Sequence, residues 1–368
     1  MYTTICFYIS DYGYGHASRS ISVIRELLNR NTSYQMIVCS NKVLPFLRES
    51  LLEYGNERII FRNCVLEFGY IVNTVTFELD LETMNHTLRT TLDELPLQVS
   101  EEMRYLSSVR PAAVMSDISA IPIAAAHELG IPTIGLSNFT WYSAYAELFS
   151  NEMLQPLYDA YEKMDYFIQY EGVGVNEPNW GRFGQLRANF FSRKPNWAEV
   201  DRLRAELDPT SYKTIILFAV GLGVTITDFK DMMIWNDSSC LFVVSSNMNI
   251  EGSNVIRIPN TYLETQNYVA ASDLVISKPG WGTVSEAVVA SKPLVLVDRK
   301  QFSEDYNTVD ALYRREYPFC RIDWFSLKGI SRLNDIQVNP GTTMQLDNEM
   351  NLSGISAYIE KIIKEWVE

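Results

Sequence analysis

The stretch Ser277-Lys278-Pro279-Gly280-Trp281-Gly282-Thr283-Val284-Ser285-Glu286 decides the fold of this chain. An apolar run, Leu274-Val275-Ile276, precedes it and reads as a short buried strand. Val284 to Ala290 reads as a helix, and Lys292-Pro293 leads into a second apolar run, Leu294 to Val297. Strand, glycine-rich turn, helix and strand make a βαβ unit. Gly280 and Gly282 can take positive φ and let a phosphate approach the backbone. The hydroxyls of Thr283 and Ser285 stand near a helix start, where unpaired N–H groups and the helix dipole attract an anion. Glu286, on the same turn, would repel a phosphate but accept hydrogen bonds from a ribose diol. The unit therefore suggests a nucleoside diphosphate, with its ribose on Glu286. An ordinary strand-to-helix turn with a capped helix would use the same residues, and one glycine loop does not separate the two readings.

The rest of the chain sets bounds on that reading. Its 368 residues exceed one typical domain, so two are expected. A formal net charge of −14 argues against DNA or RNA as a partner. No window approaches the ~18 continuous apolar residues of a membrane span. Met1 to Ser10 reads as a strand, not a signal peptide. Cys6, Cys39, Cys64, Cys240 and Cys320 are scattered, with no CxxC pair, and read as small core residues in a reducing, cytoplasmic compartment.

A second strand–loop–helix unit opens the chain. Ile5 to Ile9 reads as a strand, Asp11 to Arg19 as a loop with Gly13 and Gly15, and Ile21, Ile24, Leu27 and Leu28 as the inner face of a helix. Ser18 replaces the third glycine of a dinucleotide fingerprint, and strand Met36 to Cys39 supplies no acid for an adenosine ribose. NAD is therefore disfavoured. His16 sits at the helix start, where the dipole opposes a positive charge and favours the neutral imidazole that a general base requires. His86 and His127 read as structural or surface residues. Ala112 to Asp117 reads as a strand whose carboxyl end presents Asp117, a candidate to hold and polarise His16; a turn or cap aspartate is the alternative.

Ile59 to Phe61 and Val72 to Phe77 read as strands, and Leu81 to Leu106 as one or two helices broken near Pro96. Asn138 and Trp141, after strand Ile131 to Gly135, either contact an acceptor or pack internally. Tyr166 to Tyr170 reads as the last strand of the first half and 171–197 as a linker. In the second half, strand Thr214 to Ala219 leads to another glycine turn, Gly221 to Gly223. Strand Leu241 to Ser245 follows. Glu304 and Asp305 open a helix after Val297, where they suit either sugar hydroxyls or an ordinary first helical turn. Asp80-Leu81-Glu82 reads as an acidic surface run rather than a metal site.

Taken together, Gly280 to Ala287 with Lys292-Pro293, Gly13 to Arg19, Val114 to Asp117 and Ser137 to Trp141 resemble GT-B glycosyltransferases. The resemblance is to the peptidoglycan N-acetylglucosaminyltransferase group and to the glycosyltransferase-like N-terminal half of plant arabinokinases. It implies two Rossmann-like α/β/α domains, 1–180 and 198–350, facing a central cleft, and a helix, 351–368, that crosses back to the first domain. It implies His16 as catalytic base with Asp117 as its partner, and a loop of Gly13, Gly15 and Arg19 at a phosphate or acceptor. It further implies Gly280, Trp281, Gly282 and Thr283 at the diphosphate, Glu286 at the ribose, Tyr262 near the nucleobase, and Gly221 in the nucleotide site. Glu304-Asp305 stands where many members carry Asp-Gln for the donor sugar, which leaves the donor open. The implied activity is transfer from a nucleotide sugar, UDP-linked, to a hydroxyl of a small molecule or glycan. That transfer is expected to be inverting, with no metal and no cofactor beyond the nucleotide sugar itself. The nucleotide-sugar hydrolase of pseudaminic acid synthesis carries a similar GxGHxxR loop, so hydrolysis is the competing reading. Nucleotide-sugar 2-epimerases match less well, and a non-catalytic sugar-nucleotide sensor is the binding-class alternative.

Overall fold

The structure, a computed structural model, describes residues 2–67, 69–73, 78–210, 213–219, 229–339, 341–342 and 346–367. The chain divides into two compact units. One comprises Met1–Asn73, Leu79–Asn189 and Glu349–Glu368, and the other Thr74–Glu78 and Phe190–Asn348.

Among the described residues, the first unit holds a parallel sheet of β1 (Thr3–Ile9), β2 (Tyr34–Ser40), β3 (Ile59–Asn63), β4 (Ala113–Asp117), β5 (Thr133–Ser137), β6 (Tyr166–Tyr170) and β7 (Gly184–Ala188). Their order is β3-β2-β1-β4-β5-β6-β7. Helices cover such sheets on both faces, so central strands read as unbroken apolar runs. Cys6, Phe7, Tyr8 and Ile9 are accordingly fully buried. Burying Phe7 and Ile9 contributes about 1.5–3 kcal/mol each. From Glu349 on, the helix Asn348–Val367 belongs to this unit. Arg30 bonds Glu360 and Ser353, and the Trp366 indole donates to the Tyr166 hydroxyl.

The second unit repeats the plan with β8 (Thr214–Ala219), β9 (Cys240–Val244), β10 (Val255–Arg257), β11 (Leu274–Ser277), β12 (Leu294–Val297) and β13 (Phe319–Ile322), all parallel, in the order β10-β9-β8-β11-β12-β13. Phe218, Phe242, Ile276 and Val295 lie at the centre of its core.

Several boundaries differ from the sequence reading. Tyr166–Tyr170 does not end the first sheet: β7 follows it inside the stretch read as linker. Like β10 and β13, β7 is an edge strand, half-exposed, and therefore lacks the continuous apolar run that marks a central strand. Leu81–Val109 is one helix running through Pro96. Proline removes a backbone bond there, but the buried Met84, Leu88, Leu95 and Leu106 anchor both halves. Residues 74–77 of the predicted strand Val72 to Phe77 lie outside the described residues, and Val72 makes an isolated antiparallel bridge to Leu79.

Candidate functional site

In the first unit β1 and β4 are neighbours, with β2 and β3 to one side and β5 to β7 to the other. Ligands of doubly wound sheets bind beyond the carboxyl ends of the strands at such a reversal. The register sets Ile9, the end of β1, opposite Asp117, the end of β4. The helix Tyr14–Arg30 begins just past β1. His16, Arg19 and Ser20 follow at i, i+3 and i+4, so one helix face presents all three.

That face closes on Asp117, which is fully buried. His16 Nδ1 lies 2.9 Å from Asp117 Oδ1. Arg19 Nε donates to Oδ2 at 2.7 Å and Nη2 to Oδ1 at 2.5 Å. The Ser20 hydroxyl donates to Oδ2 at 3.1 Å. Burial pushes the Asp117 carboxyl upward, but the charges of Arg19 and His16 and their hydrogen bonds outweigh it and hold the group at about 2. Donation from Nδ1 to this carboxylate leaves the imidazole lone pair on Nε2, the tautomer a base requires. Arg19 Nη2 also lies 2.9 Å from Nδ1. A guanidinium only donates, so with the Nδ1 proton donated to Asp117 this is a close approach of two donors held by their shared carboxylate, not a second bond to the ring.

Arg19 is therefore not an outward-facing ligand of the kind implied for a phosphate or acceptor loop. It is 3% exposed, and its Nη1 donates to Asn138 Oδ1 at 2.7 Å. Asn138 is fully buried behind it. Gly13 caps the helix in extended backbone, with open space around it, and Gly15 is exposed in the first turn. Trp141 is 2% exposed, its ring set among other aromatic side chains. It stacks on Tyr145 at 5.3 Å and meets Phe139 edge-on at 5.4 Å. Phe139 in turn meets the His16 ring at 6.0 Å. Ile118, directly after Asp117, takes φ 81, a conformation costly for a β-branched residue, and its carbonyl accepts from the Tyr161 hydroxyl.

In the second unit β8 and β11 form the corresponding reversal. The turn after β8, with Gly221, lies outside the described residues. After β11 comes the stretch quoted first. Gly280 is the N-cap of the helix Trp281–Val289, with φ −67, so positive φ is not what requires glycine there. A Cβ would stand 3.2 Å from Lys278 Cε, a tight approach that a small shift of that side chain would relieve. The helix starts before Val284, with Gly282 and Thr283 half-buried in its first turn. Trp281 packs on Phe190 and Phe191. Ser285 points inward and donates to the Phe191 carbonyl at 2.5 Å, away from an anion at the helix end.

Glu286 is 8% exposed, with Oε1 3.3 Å from Arg193 Nη2. Arg193 also donates to the Leu263 carbonyl at 2.7 Å, which brings the Tyr262-Leu263 segment beside the helix of Glu286. The Tyr262 hydroxyl donates to Glu199 Oε1 at 2.9 Å. Glu304 and Asp305 lie in the first turn of the helix Ser303–Arg314. Arg299 donates to both oxygens of Asp305 at 2.6 Å and stands 3.7 Å from Glu304. Lys278, Arg193 and Ser20 were not singled out in the sequence. The charge of Arg299, with burial, pulls the Lys278 ammonium down to about 8, against the opposite pull of Asp305 and Glu304. Among the described residues no three His, Cys, Asp or Glu side chains converge on a metal position. Asp80 caps a helix, accepting from Thr83 N at 3.0 Å.

No protein-family model matches the chain. It is 22% identical over 305 residues to the L-arabinokinase of Arabidopsis thaliana, which covers 81% of this chain but 28% of that protein. The chain thus spans under a third of that relative's length. Among solved structures it resembles Medicago truncatula UGT71G1 complexed with UDP-glucose, at TM-score 0.65 and 11% identity over 100% of this chain and 99% of that one. Arabidopsis thaliana UGT89C1 aligns at TM-score 0.62 and 14% identity, over 99% and 96%. The calicheamicin glycosyltransferase CalG4 aligns at 0.58 and 13%, over 100% and 95%. No helix among the described residues is long and apolar enough to cross a membrane. The fold, two parallel α/β sheets of Rossmann type, is that of the GT-B glycosyltransferases.

Proposed function

We propose that the protein transfers a sugar from a nucleotide sugar, UDP-linked, to a hydroxyl acceptor in one inverting displacement. The observation that carries this reading is the His16–Asp117 contact of 2.9 Å at the strand reversal of the first sheet. A hydroxyl is a poor nucleophile at neutral pH and needs a base. His16 Nε2 takes the acceptor proton as the oxygen attacks the anomeric carbon. Asp117, held ionised by Arg19, stabilises the imidazolium that forms. The bond from the anomeric carbon to the diphosphate breaks, and its electron pair leaves on the nucleotide. The helix start at Gly280 to Thr283 and the nearby Lys278 ammonium suit that developing charge. Solved neighbours in complex with UDP-glucose, UDP-L-rhamnose and quercetin support this choice of donor and acceptor class.

Two expectations test the donor side. Glu286→Ala is expected to weaken UDP binding by about 1–3 kcal/mol, the usual loss of a charge-assisted hydrogen bond. Calorimetric titration with UDP measures it, with Glu286→Gln as the control that keeps the partner of Arg193. Unchanged affinity would remove Glu286 from the nucleotide site. Turnover is expected to be the same in EDTA as in magnesium or manganese, because the helix start and a lysine supply the positive potential. Loss of activity in EDTA, restored by either metal, would overturn the metal-free reading. The reaction itself is tested by incubation with a UDP-sugar panel with and without acceptor, reading glycoside against free sugar.

A further inference from the structure

We propose that the carboxyl of Glu67 and the indole N–H of Trp141 form a subsite for one uncharged oxygen, a carbonyl, ether or hydroxyl, carried on an apolar acceptor. The inference rests on the transfer reading above and specifies the acceptor class of that site. Glu67 and Trp141 line the same cavity of about 30 Å³, the volume of one water-sized group. Its other walls include Leu88, Leu95, Ala120 and the rings of Tyr145 and Tyr161. Both Glu67 oxygens and Trp141 Nε1 are buried, and none makes a hydrogen bond of full geometry among the described residues, although the Ser10 and Ser119 hydroxyls lie close enough to Glu67 to act on its carboxyl. Unpaired buried groups of this kind are costly, and a ligand that satisfies them recovers the cost.

The two groups select for charge. Indole N–H can only donate. Burial pushes the Glu67 carboxyl up to about 8, and the negative charges of Asp11 and Asp117 add to the push, against the pull of the Ser10 and Ser119 hydroxyls. At neutral pH the carboxyl is therefore protonated and donates too. Two donors among apolar walls, with Asp11 and Asp117 close by, fit a neutral oxygen and reject a carboxylate or phosphate. The cavity also backs onto the catalytic dyad, since Trp141 touches Phe139 and Phe139 touches His16.

The test is direct binding, by calorimetry without nucleotide, of para-(hydroxymethyl)acetophenone and of para-(hydroxymethyl)benzoate, a matched neutral and anionic pair. The wild type is expected to bind the ketone at least tenfold more tightly. Between about pH 7 and about pH 9 the wild-type affinity for the ketone should fall roughly tenfold as Glu67 loses its proton. Glu67→Gln keeps a donor and should bind equally well across that range. Glu67→Leu should lose at least tenfold at pH 7 while its thermal unfolding shows it folded. Equal binding of the two probes, no binding of the ketone, or the same pH dependence in Glu67→Gln would overturn the proposal. Failure of the transfer reading appears separately, as no product from any UDP-sugar while ketone binding persists.

Discussion

Replacing His16 with alanine is expected to lower kcat by about 10²–10⁴, the usual contribution of a general base. Nucleotide affinity should be unchanged, because Gly280, Thr283 and Glu286 belong to the other compact unit. The ring is held on one side. Nδ1 faces a carboxylate that is fully buried, ionised, and itself fixed by two bonds from Arg19 and one from Ser20. Such a clamp fixes the tautomer and ring orientation, and the proton-accepting role falls to Nε2. Single-turnover rates with saturating nucleotide sugar and acceptor measure the effect. Near-full turnover in His16→Ala would place the base elsewhere.

The second large effect is on stability. Asp117→Ala leaves the Arg19 guanidinium, 3% exposed, without its bidentate partner. Breaking one side of a buried ion pair costs about 3–5 kcal/mol. Asp117→Asn keeps the shape and some of the bonds, so it should cost less, and its kcat should fall less than that of His16→Ala. The pH dependence has a definite sign. Asp117 is held at about 2, below the ordinary value of 3.8. Its ionisation therefore stabilises the fold above about pH 4, and that contribution, roughly 2 kcal/mol, is lost as the pH falls through about 2. Urea unfolding of wild type and Asp117→Asn at neutral and acid pH separates this contribution from other carboxylates. An Asp117→Ala protein as stable as wild type would mean that Arg19 does not depend on this carboxylate.

Much of this was legible in the chain. β1, β4, β8, β11 and β12 are buried on both faces, so their apolar runs are continuous and their carboxyl ends could be located to within one residue. His16 and Asp117 followed from those ends. The edge strands β7, β10 and β13 were missed because half their residues face solvent and carry polar side chains. The burial of Arg19 against Asp117 was not legible for a different reason. The family resemblance implied a phosphate or acceptor loop there, and only the register of β1 against β4 brings Asp117 within reach of Arg19. Glu67 carried no local signal at all, since its burial depends on Trp141, Tyr161 and Ala120 arriving from distant parts of the chain.

The central claim, sugar transfer with His16 as base, is tested most directly by following a UDP-sugar panel and a hydroxyl acceptor by proton NMR in wild type and His16→Ala. The account predicts that wild type forms a glycoside of inverted anomeric configuration together with UDP. His16→Ala should form it at least about a hundredfold more slowly at equal nucleotide occupancy. Free sugar released at the same rate with and without acceptor, or equal rates in the two proteins, would contradict it.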